Sequence, residues 1–466
     1  MQHDTLHMAQ FYKKPVLLLI TNSFAAINII HSGLIKKLAM RYDIHLLSTM
    51  IRERELATIN NHFAIDLKLL EIELPIETMF ISLLRKLEKA LFAGHHNIAT
   101  QQIKYERLTW TKRLVIKTAI LILVQLHLSG VILKLLRRVI IVLSSFSCKL
   151  RPLLHYKFQG VISSSPLDLR ENHVTNFLQK HGVKSLAMII SWDNLTSKGV
   201  INANHDCTLV WNQLMKSEFQ RFYSMFDVNQ NSVKITGIPR FDLHFRNIDN
   251  VPLANAKARY AINAAKVIFI ATSAIKHFPN QLEIIKDVLA YAALEGDTHV
   301  IIRCHPADDH HAYQDLFDKN SVTVWHPRNL VTSSKRSFYH WLPDMDFLTS
   351  LSEMLHISDV CIQFASTIKL DAAACGTSII SVAYDGTTAL PYHQSVKRLY
   401  DYAHQLPLNA LQWDVLVADK QELYNVLTEI LSKKSKKPPA DIALLTHFAQ
   451  AQSVDCTAQT IAEWLD

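Results

Sequence analysis

Glycine is scarce in this chain, at 10 of 466 residues. Neither a G-x-G-x-x-G nor a G-K-[ST] phosphate loop occurs, which excludes the usual glycine-rich dinucleotide and P-loop sites. The six cysteines (148, 207, 304, 361, 375 and 456) lie far apart and form no C-x-x-C pair. They offer neither a disulfide framework nor a zinc site, and they fit a reducing compartment. No apolar run reaches the ~20 residues that a spanning helix requires. Residues 16–20 are apolar but too few for a signal peptide, so they read as a first strand and the expected location is cytoplasmic. Two histidine pairs, His95-His96 and His310-His311, lack an accompanying acid cluster. Adjacent helical side chains point apart, so no metal site is expected.

What is present is apolar and locally basic. Hydrophobic residues make up 49% and charged residues 19%, enough for large cores, and the length suits two domains. The net charge is +8. Residues 104–157 hold eleven Lys/Arg against the single acid Glu106, so the rest of the chain is close to neutral. Within that segment, 118–133 and 139–148 carry no formal charge. Apolar stretches flanked by Lys/Arg suit either a helix lying on an anionic membrane surface or a basic core helix. The excess is confined to this segment, and no nucleic-acid partner is assigned.

Strand and helix patterns alternate along the chain. A strand at 16–20 leads through Asn22 to a helix that Ser23 is placed to cap, running to about residue 40. Further strands are read at 44–48, 67–74, 160–164, 185–191, 207–211 and 233–236, with long helices filling 77–154. A break at 249–252 precedes a second α/β series with strands at 267–271, 300–303, 322–325, 360–362, 379–383 and 415–417. A basic, proline-ended break at 433–439 precedes a final helical stretch that can pack back on the first domain. The reading is therefore α/β with two Rossmann-like, doubly wound domains facing across a cleft. The first covers 1–248, with a helical basic insertion at about 77–155; the second covers 249–440, and 441–466 is C-terminal helix.

The stretch on which the chemistry hangs is Ser358–Asp385. It reads as strand, turn with Ser366 and Thr367, alanine-rich helix stopped by Gly376, and strand. A helix start offers unpaired N–H groups and a positive dipole end that suit a phosphate, while Ser366 serves equally well as an N-cap. Ligands in open α/β sheets bind beyond the carboxyl ends of the strands. The loops there carry Asn22, Asp193, Asn194, Arg240, Asp242, Ser273, His305, Ser366 and Thr367.

Five segments in order resemble a known group. Ser191-Trp-Asp-Asn-Leu-Thr-Ser-Lys-Gly199, Val210-Trp-Asn212 and Thr236-Gly-Ile-Pro-Arg-Phe-Asp242 look like first-domain signatures of GT-B-type transferases of surface polysaccharide synthesis. Arg303-Cys-His-Pro306 and Phe364-Ala-Ser-Thr-Ile-Lys-Leu-Asp371 resemble the second-domain signatures. The same motifs are similar to those of the CDP-glycerol glycerophosphotransferases. The resemblance implies a nucleotide-diphosphate sugar as donor substrate, no cofactor, and a glycan or lipid-linked acceptor; the membrane reading of 104–157 would add attachment to the inner membrane face. It places His305 on the donor pyrophosphate, with Ser366 and Thr367 at the helix N-terminus. Asp371 would fix that helix or the ribose, or be a solvated helix acid. Arg240 would neutralise the leaving diphosphate or form a hinge salt bridge. Asp193 would be the catalytic base, its alternative being a turn residue. Asn22 and Asn194 fall on the acceptor side, and Ser273 on the donor side. A CDP-glycerol-type phosphotransferase, a UDP-sugar 2-epimerase-like enzyme and a non-catalytic glycan- or membrane-binding protein are the alternatives.

Overall fold

The structure is a computed structural model that describes residues 13–466, apart from 227, 251–252, 276, 307, 309, 317–319, 328–340 and 434–437. Parts of both predicted breaks, at 249–252 and 433–439, therefore lie outside the described residues.

The first sheet holds β1 (Pro15–Ile20), β2 (Asp43–Ser48), β3 (Lys68–Leu69), β4 (Gly160–Ser163), β5 (Lys184–Met188), β6 (Cys207–Val210) and β7 (Val233–Ile235). Their order is β3-β2-β1-β4-β5-β6-β7. The second holds β8 (Lys266–Ala271), β9 (Thr298–Arg303), β10 (Val322–Trp325), β11 (Val360–Gln363), β12 (Ser378–Val382) and β13 (Asp414–Val417), in the order β10-β9-β8-β11-β12-β13. Every pairing is parallel, for example Leu18 with Leu46 and with Ile162. Parallel sheets are covered on both faces, which explains why the strands are apolar throughout. In β1, Val16, Leu18 and Ile20 enter one core while Leu17 and Leu19 enter another. In β8, Val267 and Phe269 face the core shared with the first domain, whereas Ile268 and Ile270 face the second domain's own core. This is the two-residue period of a strand split between two layers.

The strand order reverses between β1 and β4 in one sheet and between β8 and β11 in the other. Crevices for ligands open at such switch points. The architecture is the GT-B arrangement of two Rossmann-like domains. Three details differ from the sequence reading. The strand read at 67–74 shrinks to Lys68–Leu69, an edge strand whose register pairs only with His45 and Leu46. Asn22, rather than Ser23, caps the helix after β1, its Oδ1 accepting the Ala25 N–H at 3.0 Å. That helix is also broken, with a π-helical stretch at Ile27–His31 and a restart after Gly33.

The 77–155 region is helical, as Met79–His95, Ala99–Tyr105, Trp110–Gln125 and Ser129–Ser144. In the last of these, Leu133, Arg137, Ile140 and Ser144 form a buried stripe at helical spacing. Arg137 is thus a core residue rather than part of the basic surface. Its guanidinium donates to the carbonyls of Ile201 and Ala203 at 2.9 and 2.8 Å. Helix Trp110–Gln125 has no buried residue, and Trp110 is 73% exposed. Among the described residues no single helix is long and apolar enough to cross a membrane. Trp110–Gln125 and Ser129–Ser144 pass that test only as a pair bent by 106°.

The C-terminal helix Ser453–Leu465 packs on the first domain, where Val454, Ala458, Ile461 and Leu465 join its core. Asp242 caps this helix, accepting the N–H groups of Ser453 and Val454 at 2.9 Å each. It therefore serves the return of the chain and not the cleft. Gly237, at φ +75°, lies so close to Ser453 that an added Cβ would come within 2.3 Å of its hydroxyl, so no side chain fits there. Asp242→Ala is expected to cost about 0.5–2 kcal/mol through loss of the cap. Urea unfolding followed by circular dichroism measures this, and an unchanged midpoint would show the cap to be dispensable.

Candidate functional site

The second domain's switch point forms the floor of one cavity, of about 160 Å³. Thr272 follows β8, His305 follows β9, and Ser366 with Thr367 follow β11. All four line it, together with Arg303, Arg240 and Asp371. The first domain contributes Ser23, Phe24 and Ile27, so the cavity lies between the domains. Phe24 and Ile27 sit where the helix after β1 turns π-helical, a distortion that often accompanies functional sites.

The turn after β11 is held from below. Ala365 adopts φ +49°, a left-handed conformation unusual for alanine and sustained by its surroundings. Its N–H donates to the Tyr400 hydroxyl at 3.2 Å, and its carbonyl accepts from Gln405 Nε2 at 2.8 Å. Gln363 Oε1 accepts the Ser366 N–H at 2.6 Å. The Ser366 hydroxyl accepts the Ile368 N–H at 3.3 Å, a cap bond at the start of helix Ile368–Ala374. Thr367 makes no side-chain cap bond. Beside this turn, the His305 N–H donates to Thr272 Oγ1 at 2.8 Å. Ser273 lies outside the cavity lining, its backbone clamped to Gln281 at 2.7 and 3.1 Å. Its neighbour Thr272 is the residue that reaches the site. The motif Ala271-Thr-Ser held both hydroxyls, and only the position relative to the strand end distinguishes them.

Arg303 is the cation that sequence reasoning passed over. It is buried, stacks 3.6 Å above the Trp325 ring, and donates to the Phe347 carbonyl at 3.0 Å and Ser350 Oγ at 3.2 Å. No carboxylate pairs with it among the described residues. Burial lowers its pKa to about 9. A buried, unpaired guanidinium at the base of a cavity favours an anion there.

Arg240 and Asp371 are brought together, but chiefly onto each other. Both guanidinium Nη atoms donate to the Asp371 carboxylate, the longer bond being 3.2 Å. His244 Nε2 adds a contact of 2.9 Å. Burial pushes the Asp371 pKa up, but Arg240 and His244 override it and hold the carboxyl below its usual range. Asp371 is 2% exposed, which removes the solvated-acid reading. The interaction is the hinge salt bridge considered for Arg240.

The first domain's switch point opens a second, wider cavity of about 980 Å³. Asn22 follows β1 and Ser165 follows β4, and they are bonded at 2.7 Å. Both line this cavity with Asp168, Arg170, Ser191 and Asn194. Asp193 lies behind that lining. Its carboxylate accepts from Ser191 Oγ at 2.7 Å and Ser197 Oγ at 2.8 Å, and pairs with Lys198 at 3.1 Å. Burial alone would raise its pKa, but Lys198 and His404, with the two hydroxyls, drive it far below the usual carboxylate range. A carboxylate so fully occupied is a weak proton acceptor, which argues against Asp193 as the base. Trp192 and Trp211, 6.5 Å apart, belong to the shared core.

Beneath the cavity lies Glu171, fully buried. It accepts from the hydroxyls of Thr21 and Ser163 at 2.6 and 2.7 Å and from the Ser165 N–H at 2.8 Å. Burial and the nearby Asp168 raise its pKa to about 7. Among the described residues no three His, Cys, Asp or Glu side chains converge as metal ligands. His95 and His96 stand edge to face, and the His310 side chain lies outside the described residues.

Two parallel sheets with facing switch points, together with the family match that follows, make this a GT-B glycosyltransferase-like protein. Residues 172–450 match the family model "CDP-Glycerol:Poly(glycerophosphate) glycerophosphotransferase". That is more than half of the chain, and the chain belongs to this family. Among solved structures, the Neisseria meningitidis UDP-GlcNAc 2-epimerase bound to UDP-GlcNAc is similar at a TM-score of 0.55 and 11% identity. The match covers 96% of this chain and 100% of that one. The Methanocaldococcus jannaschii UDP-GlcNAc 2-epimerase, in complex with UDP-GlcNAc and UDP, is similar at 0.52 and 11%, over 96% and 99%. At such identities the likeness is one of fold. No curated protein matches the sequence.

A prediction follows from Glu171. Its folded pKa of about 7 lies above the ordinary 4.5. The neutral form therefore supports the fold below pH 4.5, and this contribution fades as pH rises from there through about 7. Thermal unfolding of Glu171→Gln should lack this decline, a difference of up to about 3 kcal/mol across the window. Parallel pH profiles for the two proteins would assign the titration to another group.

Proposed function

We propose that the protein is a metal-independent GT-B glycosyltransferase of surface polysaccharide synthesis. It moves a sugar from a nucleotide-diphosphate donor to a hydroxyl of a glycan or lipid-linked acceptor. The observation that carries the reading is Arg303, buried and unpaired, facing the cavity lined by Thr272, His305, Ser366 and Thr367. Fixed dipoles and a desolvated guanidinium stabilise charge that develops on a leaving phosphate without prior reorganisation. Ser366 caps the helix, and its hydroxyl and that of Thr367 line the same space, so cap and phosphate roles coexist. The acceptor enters the wider cavity beside Asn22 and Asn194. Asp193 serves there by holding Ser191 and Lys198 in place.

Family membership favours a second reading, in which glycerol phosphate is transferred from a CDP donor. The two differ in the bond that breaks. Glycosyl transfer breaks the anomeric C–O bond and releases a nucleoside diphosphate. Glycerophosphate transfer breaks the P–O–P link and releases a nucleoside monophosphate. Calorimetric titration with UDP, GDP, dTDP and CDP, then identification of the released nucleotide, separates them. Ser366→Ala with Thr367→Ala should weaken nucleotide binding by about 1–3 kcal/mol. Silence toward all four nucleotides would favour a non-catalytic protein.

The exposed helix Trp110–Gln125, with the cations around it, supports peripheral attachment to an anionic membrane on its inner face. Co-sedimentation with phosphatidylglycerol vesicles at low salt is expected. It should weaken sharply near ~1 M salt, where charges are screened within ~3 Å. Trp110→Glu with Val115→Glu should abolish it. Binding that ignores both salt and these substitutions would count against this surface.

A further inference from the structure

Phe24 is the second residue of the short helix Ser23–Ala26 that follows β1. Its neighbours Ser23, Ala25 and Ala26 are buried, whereas Phe24 is 42% exposed. Single exposed apolar side chains are common on protein surfaces, so the exposure matters here for its place. That place is the meeting of the two cavities. Among the described residues, Phe24 alone lines both the cavity of about 160 Å³ and the wider one of about 980 Å³. The first of these holds His305, Ser366 and Thr367, and the second holds Asn22 and Asn194.

The backbone that carries the ring is fixed from both domains. Asn22 Nδ2 donates to Ser165 Oγ at 2.7 Å within the first domain. The Ser23 hydroxyl donates across the cleft to the Trp341 carbonyl of the second. The Phe24 carbonyl accepts from Asn28 Nδ2 at 2.9 Å, one turn along. A side chain with two rotatable bonds on a backbone so held has little freedom to lose when a ligand meets it.

The chemistry follows from the position. In any transfer the moving group stays bonded to the donor until the acceptor reaches it, so it must lie where the two sites meet. An aromatic ring offers that group an apolar surface. A sugar ring has a matching face in its C–H bonds, and covering this face leaves its hydroxyls to the polar walls. Glycerol phosphate has no such face. Its charge would be desolvated against the ring, whose own face is weakly negative.

We propose that Phe24 is a specificity-determining residue, the platform on which the transferred group rests between the two cavities, and that this group is a sugar ring rather than glycerol phosphate. The proposal rests on the reading of the smaller cavity as the donor side and the wider one as the acceptor side.

The test is calorimetric titration of the full chain with each free nucleotide and its conjugate. The pairs are UDP with UDP-GlcNAc, GDP with GDP-mannose, dTDP with dTDP-glucose, and CDP with CDP-glycerol. Phe24→Ala should weaken binding of the sugar conjugate by about fivefold and leave the free nucleotide unchanged. The unchanged free nucleotide also reports that the variant is folded. Phe24→Tyr keeps the ring and should keep the unmodified affinity for both. An equal loss for nucleotide and conjugate, or no loss for either, overturns the proposal. So does binding limited to CDP and CDP-glycerol. Silence of the unmodified protein toward every probe strikes the donor reading itself, and the proposal with it.

Discussion

The carboxylate of Asp371 joins the two domains at their most consequential point. It is buried at the start of the helix that follows the Ser366-Thr367 turn, and it accepts from Arg240 and His244 on the first domain's final segment. A buried ion pair adds little net stability when intact, but removing one partner strands the other and costs about 3–5 kcal/mol. Its value here is geometric. The helix that presents Ser366 and Thr367 is pinned to the segment that carries the chain between domains. A change in domain angle must therefore either move that turn or break the pair.

The two cavities divide the chemistry by their charge. The one beneath Ser366 is walled largely by aromatic and aliphatic side chains and holds Arg303, which has no ion pair among the described residues, beside the paired Arg240 and Asp371. The other carries acids and bases in pairs, such as Asp168 with Arg170 at 2.6 Å. An apolar wall lowers the local dielectric and strengthens any charge–charge contact made inside. The first cavity thus favours an anion near Arg303. The second is wide and hydrogen-bonding, which suits a polyhydroxylated acceptor.

Much of this was legible in residue order. The β-turn-α-β unit at Ser358–Asp385 announces itself through apolar strands, two hydroxyls and a helix-stopping glycine, and the parallel sheets follow from apolar runs spaced by helices. That His305, Ser366 and Thr367 share one cavity lining is readable because they follow strand ends. What failed to show depends on direction and long-range contact. Thr272 and Ser273 differ by one residue, and a strand's two-residue period decides which one faces the cavity. Asp193 reads as a free carboxylate until Lys198 and two serines close around it. Arg303 looks like a surface cation beside a histidine, although the fold buries it against Trp325. Helix Trp110–Gln125 is apolar enough for a core, and only the fold shows that none of its residues is fully buried although Ile120 packs against Gly94.

The basic insertion and the Ser366-Thr367 turn are also physically continuous. Helix Ala99–Tyr105 bonds to Ala403 through Thr100, and Trp192 donates to the carbonyl of His404 at 2.5 Å. One residue further, Gln405 holds the carbonyl of Ala365, and Tyr400 holds its N–H. Ala365 keeps its left-handed conformation only while these bonds persist, because alanine gains nothing from that conformation in isolation. The insertion thus rests against the loop at 400–405. The same loop sets the turn on which the donor phosphates are proposed to rest. The helical insertion and the Ser366-Thr367 turn are thereby linked through a few hydrogen bonds.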